Sequence, residues 1–119
     1  MSLRRTLAIA CAAGAALPGT APADAGGPQR KRVEVADNYY RPATLTVKPG
    51  TRVTWKWPDD LAIDVHDVKL RSGPPGVRKF QSDPASSGYE YRRTLSKRGR
   101  YEIVCTLHEE MTMTIRVRR

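Results

Sequence analysis

From residue 32 onward, no stretch of this 119-residue chain repeats its apolar side chains with the 3.6-residue period of a helix. Short runs rich in Val, Thr, Tyr and Trp follow one another instead, cut by Pro, Gly and Asp. Arg32-Val33-Glu34-Val35-Ala36 alternates polar and apolar residues, as a half-buried strand does. Leu45-Thr46-Val47 is a second run, closed by the Lys48-Pro49-Gly50-Thr51 turn. Arg52 to Trp57 is a third, with Val53, Trp55 and Trp57 on one face. Further strands are expected at Val65–Leu70, around Phe80, and at Tyr89–Leu95, Arg100–Cys105 and Thr112–Val117. Eight short strands at this spacing predict an all-β, antiparallel sandwich or barrel. Neither internal repeats, nor a second domain, nor a glycine-rich phosphate loop is visible.

The first 25 residues do not fit this pattern. Arg4-Arg5 leads into an apolar run from Leu7 to Leu17, and Ala23-Asp24-Ala25 has the small-x-small form of a cleavage site. The run is too short to span a bilayer, so a secretory signal peptide over residues 1–25 is expected, with no transmembrane segment. Cleavage after Ala25 is favoured over cleavage after Ala23. The paired arginines resemble a twin-arginine export signal only weakly, and lipid attachment at Cys11 would leave almost no apolar segment. The product would be exported, periplasmic or otherwise in the cell envelope or secreted. Residues 26–31 read as a flexible arm, and residues 32–119 as one domain.

Cleavage removes Arg4, Arg5 and Asp24, so the net charge falls from +9 to +8. A balance that basic suggests an acidic redox partner, an anionic envelope polymer or nucleic acid. Nucleic acid is not favoured, because no recognition helix or aromatic-interleaved basic stripe accompanies the charge. A monomer is expected.

Cleavage also leaves Cys105 as a lone thiol, unable to close an internal disulfide outside the cytoplasm. Its neighbourhood gives it a role. Cys105-Thr106-Leu107-His108-Glu109-Glu110-Met111 spaces a thiol, an imidazole and a thioether two residues apart. His66, the other histidine of the chain, lies far upstream on an expected strand. A thiolate, two imidazoles and a weak thioether form the set that holds one copper ion for electron transfer, accommodating Cu(I) and Cu(II) alike. Alternation places Tyr101, Ile103 and Cys105 on one inward face, so the cysteine ends its strand at a rim, and Thr106 to Met111 reads as the rim loop. Structural zinc is disfavoured by the thioether and the missing second thiolate. No base–nucleophile pair stands outside this set, and four protein ligands leave no open position, so an enzyme is not expected.

The chain resembles the small cupredoxins, the plastocyanin and amicyanin group of type I copper proteins, from Val33 to Val117. The resemblance is carried by Asp37-Asn38-Tyr39-Tyr40-x-Pro42, Leu45-Thr46-Val47-Lys48-Pro49-Gly50, Val53-Thr54-Trp55, His66-Asp67-Val68, Phe80-x-Ser82 and Gly99-x-Tyr101-x3-Cys105-x2-His108-x2-Met111. It implies an eight-stranded Greek-key β-sandwich with copper near the surface at one end, held by His66, Cys105, His108 and Met111, and a duty as electron shuttle. A second reading keeps the same ligands for a non-redox copper-binding protein of storage, delivery or envelope protection.

Three positions depart from the family pattern. Leu107 stands where proline is frequent, and its N–H is expected to point at the Cys105 sulfur. Glu109 and Glu110 occupy a rim that is usually apolar, where they would meet a cationic partner or simply be solvated. Trp57 replaces a polar residue. Of the two methionines in reach, Met111 suits a shorter, amicyanin-like loop and Met113 a longer, plastocyanin-like one. Met113, Ile115 and Val117 read as one inward row, which assigns Met113 to the core and Met111 to the axial position. Accordingly, Met111→Leu should perturb the visible spectrum of the copper-loaded protein and Met113→Leu should not; the reverse pattern would exchange the two roles.

Overall fold

The computed structural model describes residues 29–119, and the signal-peptide reading lies outside them. The chain forms β1 (Arg30–Ala36), β2 (Tyr39–Arg41), β3 (Thr44–Val47), β4 (Thr51–Lys56), β5 (Lys69–Ser72), β6 (Glu90–Leu95), β7 (Gly99–Cys105) and β8 (His108–Val117). They make two four-stranded sheets, one ordered β2-β1-β4-β6 and the other β3-β8-β7-β5. No helix of the described residues is long and apolar enough to cross a membrane.

The all-β expectation holds, but the sheets are mixed rather than purely antiparallel. β1 runs parallel to β4, and β3 runs parallel to β8. Alternation reports which face of a strand is buried and says nothing about the direction of its neighbour. The Lys48–Gly50 turn carries the chain from β3 in one sheet to β4 in the other, so consecutive strands need not pair.

The eight strands are also not the expected eight. Arg30 and Lys31, assigned to the arm, pair with Arg52 and Val53, and Arg52 N–H donates to Gln29 O at 2.9 Å. β2 was not foreseen: Asn38 adopts a left-handed φ of 69°, which turns the chain back tightly enough for Tyr40 to face Val35. The strand expected at Val65–Leu70 lies at Lys69–Ser72, leaving His66 in an isolated bridge with Ala85. The region of Phe80 contributes only a bridge between Gln81 and Lys69.

Between the sheets lies one core. β4 turns Val53 and Trp55 inward, and Trp57 just beyond it follows the same face; all are fully buried. From the facing sheet come Tyr101, Ile103 and Cys105 of β7 and Met111, Met113, Ile115 and Val117 of β8. The inward and outward sets of β7 and β8 are therefore those the alternation specified. One element of the reading changes: β8 begins at His108, so Met111 belongs to a strand and not to a rim loop.

Ile103→Ala should lower the unfolding free energy of the metal-free domain by about 2–5 kcal/mol. Arg32→Ala, on the exposed face of β1, should change it by less than about 0.5 kcal/mol. Urea titrations of the two variants check the contrast.

Candidate metal centre

β7 delivers Cys105, and a two-residue turn of Thr106 and Leu107 returns the chain as β8 at His108. Cys105 and His108 are ladder partners across this turn. Directly before it Val104 pairs with Thr112, so Glu109, Glu110 and Met111 are extra residues bulged out of the ladder. A bulge re-aims side chains at the end of a strand pair. Here it leaves Glu109 and Glu110 exposed while Met111 stays fully buried. Met113 is set further along, opposite Ile103.

The second histidine arrives from the long connection between β4 and β5. His66 and Ala85 exchange both backbone hydrogen bonds at 3.0 Å, which fixes the histidine at the mouth of the sandwich. Trp57, for which the sequence offered no account, supports this bridge. Its indole N–H donates to Ala85 O at 2.9 Å, and its ring packs edge-on against Tyr89 at 4.8 Å.

His66, Cys105 and His108 thereby converge, with one ligating atom from each lying within 4.8 Å of the others. Cys105 Sγ is 3.8 Å from His66 Nδ1 and 3.7 Å from His108 Nδ1. Edges of that length suit a sulfur and nitrogens bound about 2.0–2.3 Å from one shared ion. His66 Nε2 lies 3.1 Å from Asp37 Oδ1, so it carries the proton and leaves Nδ1 free as a donor to metal. The Asp64 N–H, and then His66 itself, hold the Asp37 carboxyl below its usual range.

Asp67 ties together the two segments that carry His66 and Cys105. Its carboxylate accepts from Thr106 N–H at 2.7 Å, from Thr106 Oγ1 at 2.6 Å and from Gln81 Nε2 at 3.2 Å. Its own N–H donates to Cys105 Sγ at 3.5 Å. The sequence reading gave that last role to Leu107; among the described residues the Leu107 N–H makes no bond to the sulfur. Residues 66–68 cross directly over the cysteine, and a local spacing argument cannot see a donor 38 positions away. Tyr40 completes the clamp by donating to Asp67 O at 2.6 Å. Burial, reinforced by Cys105 and Asp67, pushes its phenol far up, so it remains a protonated donor.

The donor set fits copper. Two imidazole nitrogens flank one buried thiol, Cys105, the free cysteine of the described chain. His108 is the half-buried member, beside Leu107, which is 53% exposed; His66 and Cys105 are fully buried. Among the described residues these three form the one cluster of His, Cys, Asp or Glu spaced to hold a metal.

Comparison with known proteins agrees. Residues 30–118 match the family model described as copper binding proteins, plastocyanin/azurin family. Amicyanin-alpha of Methylorubrum extorquens is 31% identical over 105 residues, which cover 87% of this chain and 82% of that protein. A solved structure of a reduced amicyanin variant is 26% identical, with a TM-score of 0.63 over 81% of this chain and 88% of its own. A copper-containing nitrite reductase from Thermus scotoductus is 28% identical, with a TM-score of 0.65; the match covers 87% of this chain and 25% of that one.

Asp67→Ala would remove the acceptor shared by Thr106 N–H, Thr106 Oγ1 and Gln81 Nε2 and should cost the metal-free domain about 1–3 kcal/mol. Asp67→Asn keeps an acceptor for Thr106 N–H and should cost about half as much or less. Denaturant midpoints of the two variants test this ordering.

Proposed function

The chain belongs to the plastocyanin/azurin family of copper-binding proteins and holds one type I copper ion; from that premise we propose that it carries single electrons outside the cytoplasm. In this reading His66, Cys105, His108 and Met111 are the ligands. The observation that carries it is the convergence of His66 Nδ1, His108 Nδ1 and Cys105 Sγ on one point at the end of a packed sandwich. Met111 would supply the thioether, and the ladder supports this choice: the bulge holds it buried between His108 and Thr112, whereas Met113 is committed to the core opposite Ile103.

Bound copper supplies a one-electron couple between Cu(I) and Cu(II), both of which this mixed set of sulfur and nitrogen donors tolerates. The protein's part is to keep the donors still. Asp37 orients the His66 ring, Asp67 locks residues 66–68 to Thr106, and the Ala85 bridge and Trp57 fix the His66 backbone. Ligands held this firmly need little rearrangement when the charge on the ion changes. The Asp67 N–H, donated to the Cys105 sulfur, would draw electron density from that ligand. His108 is the ligand nearest solvent, so an electron would enter and leave through its edge.

Four protein ligands leave no open coordination position, which supports a carrier rather than an enzyme. Export to the periplasm or cell envelope is proposed from the signal-like residues 1–25. The redox partner would be a separate protein; judged by net charge alone it would be acidic.

Copper-loaded protein should show an intense visible charge-transfer band and a reversible one-electron voltammogram, and Cys105→Ser should abolish the band. A colourless protein that surrenders Cu(I) readily to a chelator would favour copper storage or delivery instead.

A further inference from the structure

Net charge describes this molecule poorly, because its charges are sorted along the strand axis. β7 ends and β8 begins at the metal centre. The Asp37 turn, the connection carrying Asp64 and the loop carrying Asp83 lie at the same end, since Asp37 bonds His66 and Asp64, and Ala85 bridges His66. Glu109 and Glu110 stand exposed in the bulge directly after His108. Between Cys105 and Ile115 there is no lysine or arginine, and the exposed Lys69, opposite Val104, is a cation near this end that the acids outnumber.

The other end of the sandwich is the reverse. Arg30 lies beside Arg52 in register, and Arg100 lies opposite Arg116. Like charges placed as direct neighbours cost a sheet stability. Among the described residues Arg30, Arg52 and Arg116 have no carboxylate partner to offset that cost. Lys97 and Arg98, in the turn between β6 and β7, add to the same pole.

Distance decides which pole governs docking. β8 is ten residues long, and at about 3.3 Å per residue it sets the two ends about 30 Å apart. That is about three Debye lengths at 0.1 M salt, so a partner meeting one end scarcely feels the other. An acidic partner drawn by the overall positive charge would settle on the arginine pole, with the sandwich between it and His108. Electron tunnelling falls off exponentially with distance, so that encounter is unproductive.

We propose that the productive partner presents a lysine- and arginine-rich surface around its own redox group and docks on the acidic copper end, over Leu107 and His108 and against Glu109 and Glu110. Leu107 supplies an apolar contact at the centre, and the carboxylates steer and orient the approach. The arginine pole turns the wrong end away from such a partner. This assignment rests on the electron-carrier reading above.

The test is stopped-flow oxidation of the copper(I)-loaded protein by two small complexes of opposite charge, tris(phenanthroline)cobalt(III) and hexacyanoferrate(III). Each accepts one electron as Cu(I) becomes Cu(II). As salt is raised from about 0.1 M to 1 M, the Debye length shrinks from about 10 Å to 3 Å, and the cobalt rate should fall severalfold while the hexacyanoferrate rate stays level or rises. The double variant Glu109→Gln, Glu110→Gln should lower the cobalt rate at about 0.1 M roughly threefold, after correction for its measured reduction potential. Arg30→Gln with Arg52→Gln should leave that rate unchanged. The proposal is overturned if hexacyanoferrate is the oxidant whose rate falls with salt, or if the glutamate pair can be neutralised without effect. Failure of the carrier reading looks different: no visible band, and reaction with neither complex.

Discussion

Asp67 is a carboxylate only 3% exposed, and the metal centre is organised around it. A charge buried this deeply is tolerated only when hydrogen bonds replace its water. Thr106 N–H, Thr106 Oγ1 and Gln81 Nε2 supply them, and by doing so they draw the turn after Cys105 against the segment that carries His66. The backbone N–H of the same residue then falls on the sulfur. One side chain thus joins a strand of the sandwich to a long connection that has almost no regular structure of its own, and the cost of burying it is offset by the bonds that close the site.

The sandwich makes this clamp possible by ending its strands at one level. β7 and β8 are paired along nearly their whole length, and the ladder breaks only where it reaches Cys105 and His108. The bulge of Glu109, Glu110 and Met111 resolves two demands in three residues. The thioether goes inward, and the carboxylates go out to the surface beside His108. A regular ladder would have aimed successive side chains to alternate faces and could not have kept both glutamates exposed on either side of the same level.

Much of this was legible in order along the chain. The period of two in Arg52–Trp57, Arg100–Cys105 and Thr112–Val117 gave the strands and their buried faces, because the pleat fixes which side chains share a side. The Cys105, His108 and Met111 spacing, with His66 upstream, gave the donor chemistry. The pairing directions were not legible, since parallel and antiparallel neighbours leave the same alternation. β2 escaped because its three residues follow a turn that depends on one left-handed asparagine, Asn38. Asp37, Asp67 and Trp57 were in view as residues but not as supports of the site. Each acts on a group 28 to 39 positions away in the chain, a separation over which local pattern carries no information.

The order of residues therefore set the chemical identity of the centre and the faces of the strands around it. Donor type is a property of side chains, and facing is a property of the pleat, so both are local. Convergence, by contrast, is a matter of long-range register. The bridge of His66 with Ala85, the clamp of Asp67 on Thr106 and the bulge after His108 exist because two sheets pack face to face and bring distant segments to one rim. The same packing sorts the charges, placing acids at the copper end and arginines at the other, where a net charge read from composition shows only an excess of base.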